Sequence, residues 1–413
     1  MCNCRTRSNG EDIIATVTDQ PNASDKPQPI VSAEGRSGDL LTITLAHAAN
    51  DLYQPFLAAL LPVFIATMGL SKTEAGFLSL IRQLPSLAQP AMGHLADRLK
   101  LRSVLVAAPA LTAAALSLAG VAPNYGILAL FLLAGGVSST AFHSVAPAIA
   151  GELAGSRNIG RGMGLWVFGG ELGFTLGPLL IASVVDRFGV RATPWLMLFG
   201  ILASAILFFR VRRLPQSSAR QAASLPWKDA LIQLRPVMLP LLGLSVTRAP
   251  VLSAISDYLP TFLKEGGASL LMAGASLTLY QGAAAVGVVV GGSLSDRVDR
   301  RLLLLISNLA TPLLLAAFLA SDGIGQLVAL IFAGFMVVAH DPVALAVLQE
   351  TATQNRALAT SLYLALMFLI RSIATVAVGV IADQASLRSA YAVGAVIFLL
   401  GTPFLFLLPL KKR

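Results

Sequence analysis

The sequence predicts an all-α membrane protein in which twelve transmembrane helices form two pseudo-symmetric six-helix bundles. Three observations support this prediction. Of the 413 residues, 55% are hydrophobic and only 12% are charged, which is about half the charged fraction of a typical soluble domain. Twelve apolar runs are long enough to cross a bilayer, which takes about 20 residues each. A short polar motif also recurs at an offset of 199 residues, close to half the chain.

The apolar runs fall into two sets of six. The first set lies near residues 40–68, 75–96, 103–122, 125–150, 163–185 and 193–210. The second set lies near residues 237–263, 268–292, 302–320, 325–349, 357–382 and 390–410. The connections are short except for a polar stretch with five basic residues. We therefore expect an N-terminal bundle over 39–210, a cytoplasmic linker over 211–236 and a C-terminal bundle over 237–410.

The first 38 residues differ in composition from the rest of the chain. They mix Ser, Asp, Pro, Gln and Lys without periodicity, which predicts a disordered cytoplasmic tail over 1–38. The tail lacks the apolar core of a secretory signal peptide. Both cysteines, Cys2 and Cys4, lie in it. They cannot by themselves form a disulfide framework or a tetrahedral metal site, so we expect no metal and no cofactor.

The charges of the loops predict the orientation. If the N-terminus is inside, eighteen Lys and Arg residues fall on the cytoplasmic side and five on the other. This excess places both termini in the cytoplasm and the chain in a bacterial cytoplasmic (inner) membrane. The net charge of +9 is thus explained by membrane orientation, and no nucleic-acid partner is expected.

The repeated motif reads Gly-His-Leu-Ala-Asp-Arg at 93–98 and Gly-Ser-Leu-Ser-Asp-Arg at 292–297. A glycine allows close helix approach, and an aspartate can bond free N–H groups at a helix start and pair with arginines. The motif predicts a conformational latch on the cytoplasmic side; alternatively, it only ends a helix. The latch residues would be Gly93, Asp97, Arg98, Arg102, Gly292, Asp296 and Arg297.

This motif resembles the signature of the major facilitator superfamily, and the resemblance runs from about residue 40 to the end. Three stretches are similar to the fosmidomycin-resistance type of exporter: His47–Asp51, Gly135–His143 and Gly169–Pro178. The third also resembles the antiporter motif, through Gly173, Gly177 and Pro178. The chain departs from the family at Ser144-Val145, where Pro-Glu is usual, and at Leu179-Leu180, where further glycines are usual. The resemblance implies the major facilitator fold and alternating access between two halves.

Ionisable side chains inside spans cost about 2.5–3.5 kcal/mol or more, so each is a functional hypothesis. Spans three, six, nine and twelve carry none, and in the superfamily these are the outer supports. The ten candidates on the other spans are His47, Asp51, Arg82, His143, Glu171, Arg248, Asp257, His340, Asp341 and Arg371.

Coupling to protons requires a carboxylate that is protonated from one side and releases its proton to the other. Asp51 and Glu171 are the first candidates and Asp341 is the third. His47 and Asp51 are spaced i, i+4 and share a helix face. The alternative for Asp51 is a permanent ion pair with Arg82 that holds spans one and two together.

Three intramembrane arginines favour an anionic or zwitterionic substrate, because guanidinium groups suit bidentate contacts with carboxylate or phosphonate. The alternative is that each arginine has a fixed acidic partner. The histidines are candidates for substrate contact or for hydrogen bonds between helices. The predicted substrate-binding residues are Arg82, Arg248, His143, His340, Arg371, Asn50 and Tyr280.

These observations predict a secondary active transporter rather than an enzyme. The sequence has no phosphate-binding loop for ATP. The expected function is a proton-coupled exporter (antiporter) of a small organic, anionic compound or drug, which would act in efflux and drug resistance. The alternative is a proton-coupled importer (symporter) of an organic anion. The expected partners are a small-molecule substrate, protons and the lipid bilayer, and the chain is expected to be a monomer.

Overall fold

The computed structural model describes residues 33–89, 101–154, 159–211, 227–295, 297–338, 343–345, 347–348 and 356–409. All regular structure in these residues is helical, which confirms the predicted all-α class. Ten helices are long and apolar enough to cross a membrane, and Gly323–Val337 is a shorter apolar helix. The remaining predicted span, 75–96, is described only up to residue 89.

The helices form two halves of six spans each, as predicted, although the first span and the last span are each divided into two helices. The first half contains α1 (Ala33–Asp51), α2 (Phe56–Met68), α3 (Lys72–Gln83), α4 (Leu101–Leu118), α5 (Tyr125–Ala154), α6 (Ile159–Phe188) and α7 (Met197–Val211). The second half contains α8 (Trp227–Glu265), α9 (Leu270–Ser295), α10 (Arg300–Ala320), α11 (Gly323–Val338), α12 (Arg356–Gln384), α13 (Leu387–Leu399) and α14 (Thr402–Leu407). Short 3-10 helices occupy Leu84–Ala88, Ala119–Val121 and Val190–Leu196.

The first span is broken, whereas the sequence predicts one run over 40–68. A turn separates α1 from α2 and ends at Pro55. Proline has no N–H and its ring clashes with the carbonyl four residues earlier, so Pro55 favours a break in the helix at this point. The buried Tyr53 fixes this turn, because its hydroxyl donates to the Leu196 carbonyl (2.8 Å) and accepts from the Gly200 N–H (3.0 Å). The break places Asp51 at the C-terminal end of α1.

Among the described residues, charged and polar contacts join the two halves at one face of the molecule. We call the side where the described chain starts and ends the near face, and the opposite side the far face. At the far face both carboxylate oxygens of Asp383 accept from α3: one from the Lys72 N–H (2.8 Å), the other from the N–H (2.8 Å) and hydroxyl (2.6 Å) of Thr73. Lys72 Nζ also pairs with Glu265 (2.9 Å), and Tyr258 donates to the Lys72 carbonyl (2.8 Å). We call these five residues the far-face contact.

The apolar core has the same asymmetry. One buried cluster joins the halves on the far side and includes Leu60, Leu78 and Tyr258. Two further clusters lie towards the near face, and each belongs to one half: one surrounds Ile43 and Phe142, and the other surrounds Val237, Leu304 and Tyr363. The described apolar core is therefore shared at the far face and divided at the near face.

The glycines of the predicted antiporter motif pack α6 against the broken first span. A side chain at Gly173 would meet the Ala48 carbonyl, and one at Gly177 would meet the Leu52 carbonyl and Pro55. These neighbours are backbone or ring atoms, which cannot move aside as a flexible side chain could. The motif thus has a packing role beside any role in transport.

This packing predicts that Gly173→Ala destabilises the protein. The added methyl group overpacks a backbone contact, which costs about 1–3 kcal/mol. Gly164→Ala, on the same helix with open space around it, is the matched control and gains about 1 kcal/mol of helix propensity. Thermal unfolding in detergent should show a lower midpoint for Gly173→Ala and an equal or higher one for Gly164→Ala. Equal midpoints for the two variants would contradict the close packing.

Candidate functional site

A cavity of about 420 Å³ lies between the two halves. It borders the apolar cluster shared by the halves, because Tyr280 belongs to both. The first half contributes Asp51, Gly170, Glu171 and Phe174 to its wall. The second half contributes Ser245, Arg248, Ala249, Leu252, Ser256, Tyr280, Gln281, Ala284, Leu364, Met367, Phe368 and Arg371.

The charged groups of the cavity are divided between the halves. Both carboxylates, Asp51 and Glu171, come from the first half, and both arginines, Arg248 and Arg371, come from the second. A ligand that carries an anionic group and a hydrogen-bond donor could therefore contact both walls at once.

Arg248 and Arg371 differ in how they are held. Arg248 is buried, its Nη2 donates to the Val337 carbonyl, and its guanidinium lies 5.6 Å from the centre of the Phe398 ring. The Nε of Arg371 is buried and has no hydrogen-bond partner among the described residues. Arg371 thus retains donor capacity that its neighbours do not use.

Gln281 is a second group with unused hydrogen-bonding capacity. Its side chain is 95% buried and lines the cavity, yet neither its amide oxygen nor its amide nitrogen has a partner among the described residues. Buried polar groups are normally satisfied, so this amide is well placed to contact a ligand.

Asp51 is held by two histidines. Its Oδ2 lies 3.1 Å from His47 Nε2 and 3.4 Å from His143 Nε2, and the two Nε2 atoms are 3.2 Å apart. We call these three residues the histidine cluster. The i, i+4 spacing of His47 and Asp51 on α1 indicates their pairing from sequence; His143 comes from α5.

Backbone and aromatic groups fix the cluster from outside. His47 Nδ1 lies 2.8 Å from the Trp166 carbonyl, and its ring stacks on the Trp166 ring with centroids 4.0 Å apart. His143 Nδ1 lies 2.9 Å from the Ser139 carbonyl. Asn50 is fully buried and donates to the other Asp51 oxygen (2.9 Å) and to the Ser139 hydroxyl (3.3 Å).

The fold thus brings together Asp51, Glu171, Arg248, Arg371 and Tyr280 around the cavity. His143 contacts Asp51 from the side, and Asn50 bonds Asp51 without lining the cavity. His340, Asp341, Gly93, Asp97, Arg98 and Asp296 lie outside the described residues. Of the other predicted latch residues, Gly292 lies in α9, Arg297 is exposed just after it, and Arg102 belongs to α4, its side chain being outside the description.

The alternative in which Asp51 pairs permanently with Arg82 is not what the structure contains. Arg82 Nη1 donates to Gln54 (2.7 Å), and Asp51 bonds the histidines and Asn50. Arg82 does not line the cavity. The turn between α1 and α2 explains this difference, because it carries Gln54 towards Arg82.

The sequence prediction missed Asp383 altogether. It lies at the far end of an apolar run, where an acidic residue is ordinary, and its partners are 310 and 311 residues away. The start of α3 is recognisable, because Ser71 and Glu74 form a capping box. No sequence signal connects that helix start with Asp383.

Comparison with known proteins agrees with this architecture. Residues 41–277 and 263–413 match the Major Facilitator Superfamily. The chain is 26% identical over 401 residues to the Fosmidomycin resistance protein of Escherichia coli (strain K12), covering 93% of this chain and 98% of that one.

Two solved structures share the fold. A mutant of the nucleoside transporter NupG aligns with a TM-score of 0.74 at 16% identity, over 89% of this chain and 99% of that one. A bacterial homologue of the human lysosomal transporter Spinster, in an inward-facing and unoccupied conformation, aligns with a TM-score of 0.72 at 17% identity, over 91% and 96%. The family match, the two six-helix halves and the cavity between them identify the chain as a membrane transporter of the Major Facilitator Superfamily.

Proposed function

We propose that this transporter exports a small organic compound with an anionic group in exchange for protons. The observation that carries the proposal is the cavity between the halves, which has carboxylates on one wall and arginines on the other. The similarity to the Fosmidomycin resistance protein supports export.

Alternating access is supported by where the halves touch. If both termini are cytoplasmic, as the loop charges predict, the far face is the outer side of the membrane. The far-face contact and the shared apolar cluster then close the route to the outside. Transport would require this contact to break and a matching contact to form at the near face.

Arg248 and Arg371 are the groups we assign to the anionic part of the substrate. Guanidinium groups stay charged at working pH and present donors in a fork that matches carboxylate or phosphonate. Gln281, on the same half, adds an amide that can accept or donate.

Glu171 is the group we assign to the proton. It lines the cavity on the half that does not carry the two arginines, whereas Asp51 belongs to the histidine cluster and Asp341 lies outside the described residues. Exchange requires that proton and substrate compete. A substrate that donates a hydrogen bond to ionised Glu171 while its anionic group contacts the arginines would compete with a proton for this carboxylate.

The same argument separates export from the symport alternative. A substrate that is only anionic would be repelled by ionised Glu171 and would bind better once it is protonated, which favours transport in the same direction as the proton. Substrate affinity should therefore fall as pH is lowered if the protein is an antiporter, and rise if it is a symporter.

Glu171→Gln tests the assignment of the proton. Fosmidomycin is the first compound to try, in everted vesicles whose interior is made acidic. The wild type should accumulate it and Glu171→Gln should not, while exchange of labelled for unlabelled compound persists, because a neutral side chain removes only the proton step. Asp186→Asn, an exposed carboxylate on the same helix, is the matched control and should accumulate normally.

Two outcomes would contradict the proposal. If wild-type vesicles accumulate neither fosmidomycin nor any member of a panel of organic anions under the gradient, the antiport proposal is wrong. If Glu171→Gln accumulates substrate against the gradient, the proton is carried elsewhere.

Arg371→Gln tests the assignment of the anion. A hydrogen bond to a charged group contributes about 1.5–3 kcal/mol, so the dissociation constant should rise at least about tenfold. Arg187→Gln, an exposed arginine on α6, should leave it unchanged. Binding is measured on purified protein by isothermal titration calorimetry. Equal affinities in the two variants would remove Arg371 from the substrate site.

A further inference from the structure

We propose that the histidine cluster is a binding site for one divalent transition-metal ion, of the kind represented by Zn²⁺ or Co²⁺. The ligand atoms are Nε2 of His47, Nε2 of His143 and Oδ2 of Asp51. The sequence predicts no metal. His47 and Asp51 lie on α1, whereas His143 lies on α5, 96 residues after His47. Only the folded chain brings the three ligands together.

The hydrogen bonds of the two rings determine which nitrogen atoms carry hydrogen. A carbonyl oxygen only accepts, so the contacts with Trp166 and Ser139 require a hydrogen on both Nδ1 atoms. In the neutral form of each histidine, Nε2 is then left with its lone pair. Both lone pairs face Asp51 Oδ2, which is also an acceptor. Three electron-rich atoms therefore converge on one point.

A single proton serves these three atoms only by being shared. One proton on His47 Nε2 must serve both Asp51 Oδ2 at 3.1 Å and His143 Nε2 at 3.2 Å in a bifurcated hydrogen bond. If both rings carry a proton on Nε2, two positively charged imidazolium groups face each other with their Nε2 atoms 3.2 Å apart, and they repel each other. A metal ion accepts all three lone pairs at once.

The spacing of the ligand atoms fits such an ion. Metal–ligand bonds of about 2.0–2.2 Å in a tetrahedral site place neighbouring ligand atoms roughly 3.3–3.6 Å apart. The three distances in the cluster are 3.1, 3.2 and 3.4 Å. An ion would need only small shifts of the two rings.

The outer contacts are those of a supported metal site. Histidine ligands commonly donate their second N–H to a backbone carbonyl, which fixes the ring and raises its basicity. Both rings do so here, and Asn50 donates to the second Asp51 oxygen. Among the described residues, the ion pairs of Asp51 are those with the two histidines.

An ion can reach the cluster from the cavity. Asp51 lines the cavity, and the side chain of His143 is 28% exposed, whereas that of His47 is 5% exposed. Three protein ligands leave at least one coordination position open, as in metal sites that bind a further ligand. The site lies beside the proposed substrate position but does not depend on the proposed proton exchange.

Binding of Co²⁺ to purified protein tests the inference. The full-length chain carries Cys2→Ser and Cys4→Ser, because thiolates in the tail would also bind the ion, and any affinity tag is removed. Equilibrium dialysis should give one Co²⁺ per chain, with the visible absorption of a site of low coordination number. His143→Gln should weaken binding at least about tenfold, because loss of even an outer contact costs about 10- to 100-fold.

Glu171→Gln is the matched control, since this carboxylate lines the same cavity but is not one of the three ligands. It should bind Co²⁺ like the parent chain even where it has lost gradient-driven accumulation. The metal site and the proton assignment can therefore fail independently.

The inference is overturned if the parent chain binds no stoichiometric Co²⁺, or if His143→Gln and His47→Gln both bind it as tightly as the parent. If these variants do not fold, as judged by circular dichroism and gel filtration, X-ray absorption of the Zn²⁺-loaded parent chain decides the question. Two imidazole ligands at about 2.0 Å are expected, and a spectrum without imidazole contradicts the site.

Discussion

The closed far face depends on one interaction, in which the Asp383 carboxylate occupies the N-terminus of α3. The first N–H groups of a helix have no partner within the helix and carry partial positive charge, so a carboxylate there is favourable. Asp383 belongs to the opposite half, and its bonds therefore hold the halves together where they meet. The ion pair between Lys72 and Glu265 and the shared apolar cluster extend the contact. The cavity lies between the two halves, and its wall includes Tyr280 of the shared apolar cluster.

The low dielectric of the membrane explains where the charged groups lie. A charge in a span must find a partner or a water-filled space. Arg82 uses Gln54, Asp51 uses two histidines, and Arg248 uses a carbonyl and an aromatic ring. Arg371 and Gln281 have buried donor atoms without partners among the described residues of the cavity wall. Our proposal assigns these groups to the substrate.

The sequence predicted the fold well because span length, charge-poor runs and the Gly-Asp-Arg repeat are local signals. It also placed His47 and Asp51 on one helix face, because i, i+4 spacing is a property of one helix. It could not predict that His143 completes the cluster or that Asp383 binds α3, since both depend on contacts between distant segments. The alternative pairing of Asp51 with Arg82 is not found, because Asp51 bonds the two histidines while Arg82 donates to Gln54 in the turn that breaks the first span.

Distances between spin labels on the two halves, measured by double electron–electron resonance in lipid nanodiscs, test the central claim most directly. One pair, at Thr67 and Lys264, reports on the far face; the other, at Ser103 and Arg297, reports on the near face, and all four positions are exposed. In a chain without Cys2 and Cys4, Asp383→Asn should lengthen the far-face distance and shorten the near-face distance together. A far face that opens while the near-face distance stays constant would contradict the account in which the two halves rock as units.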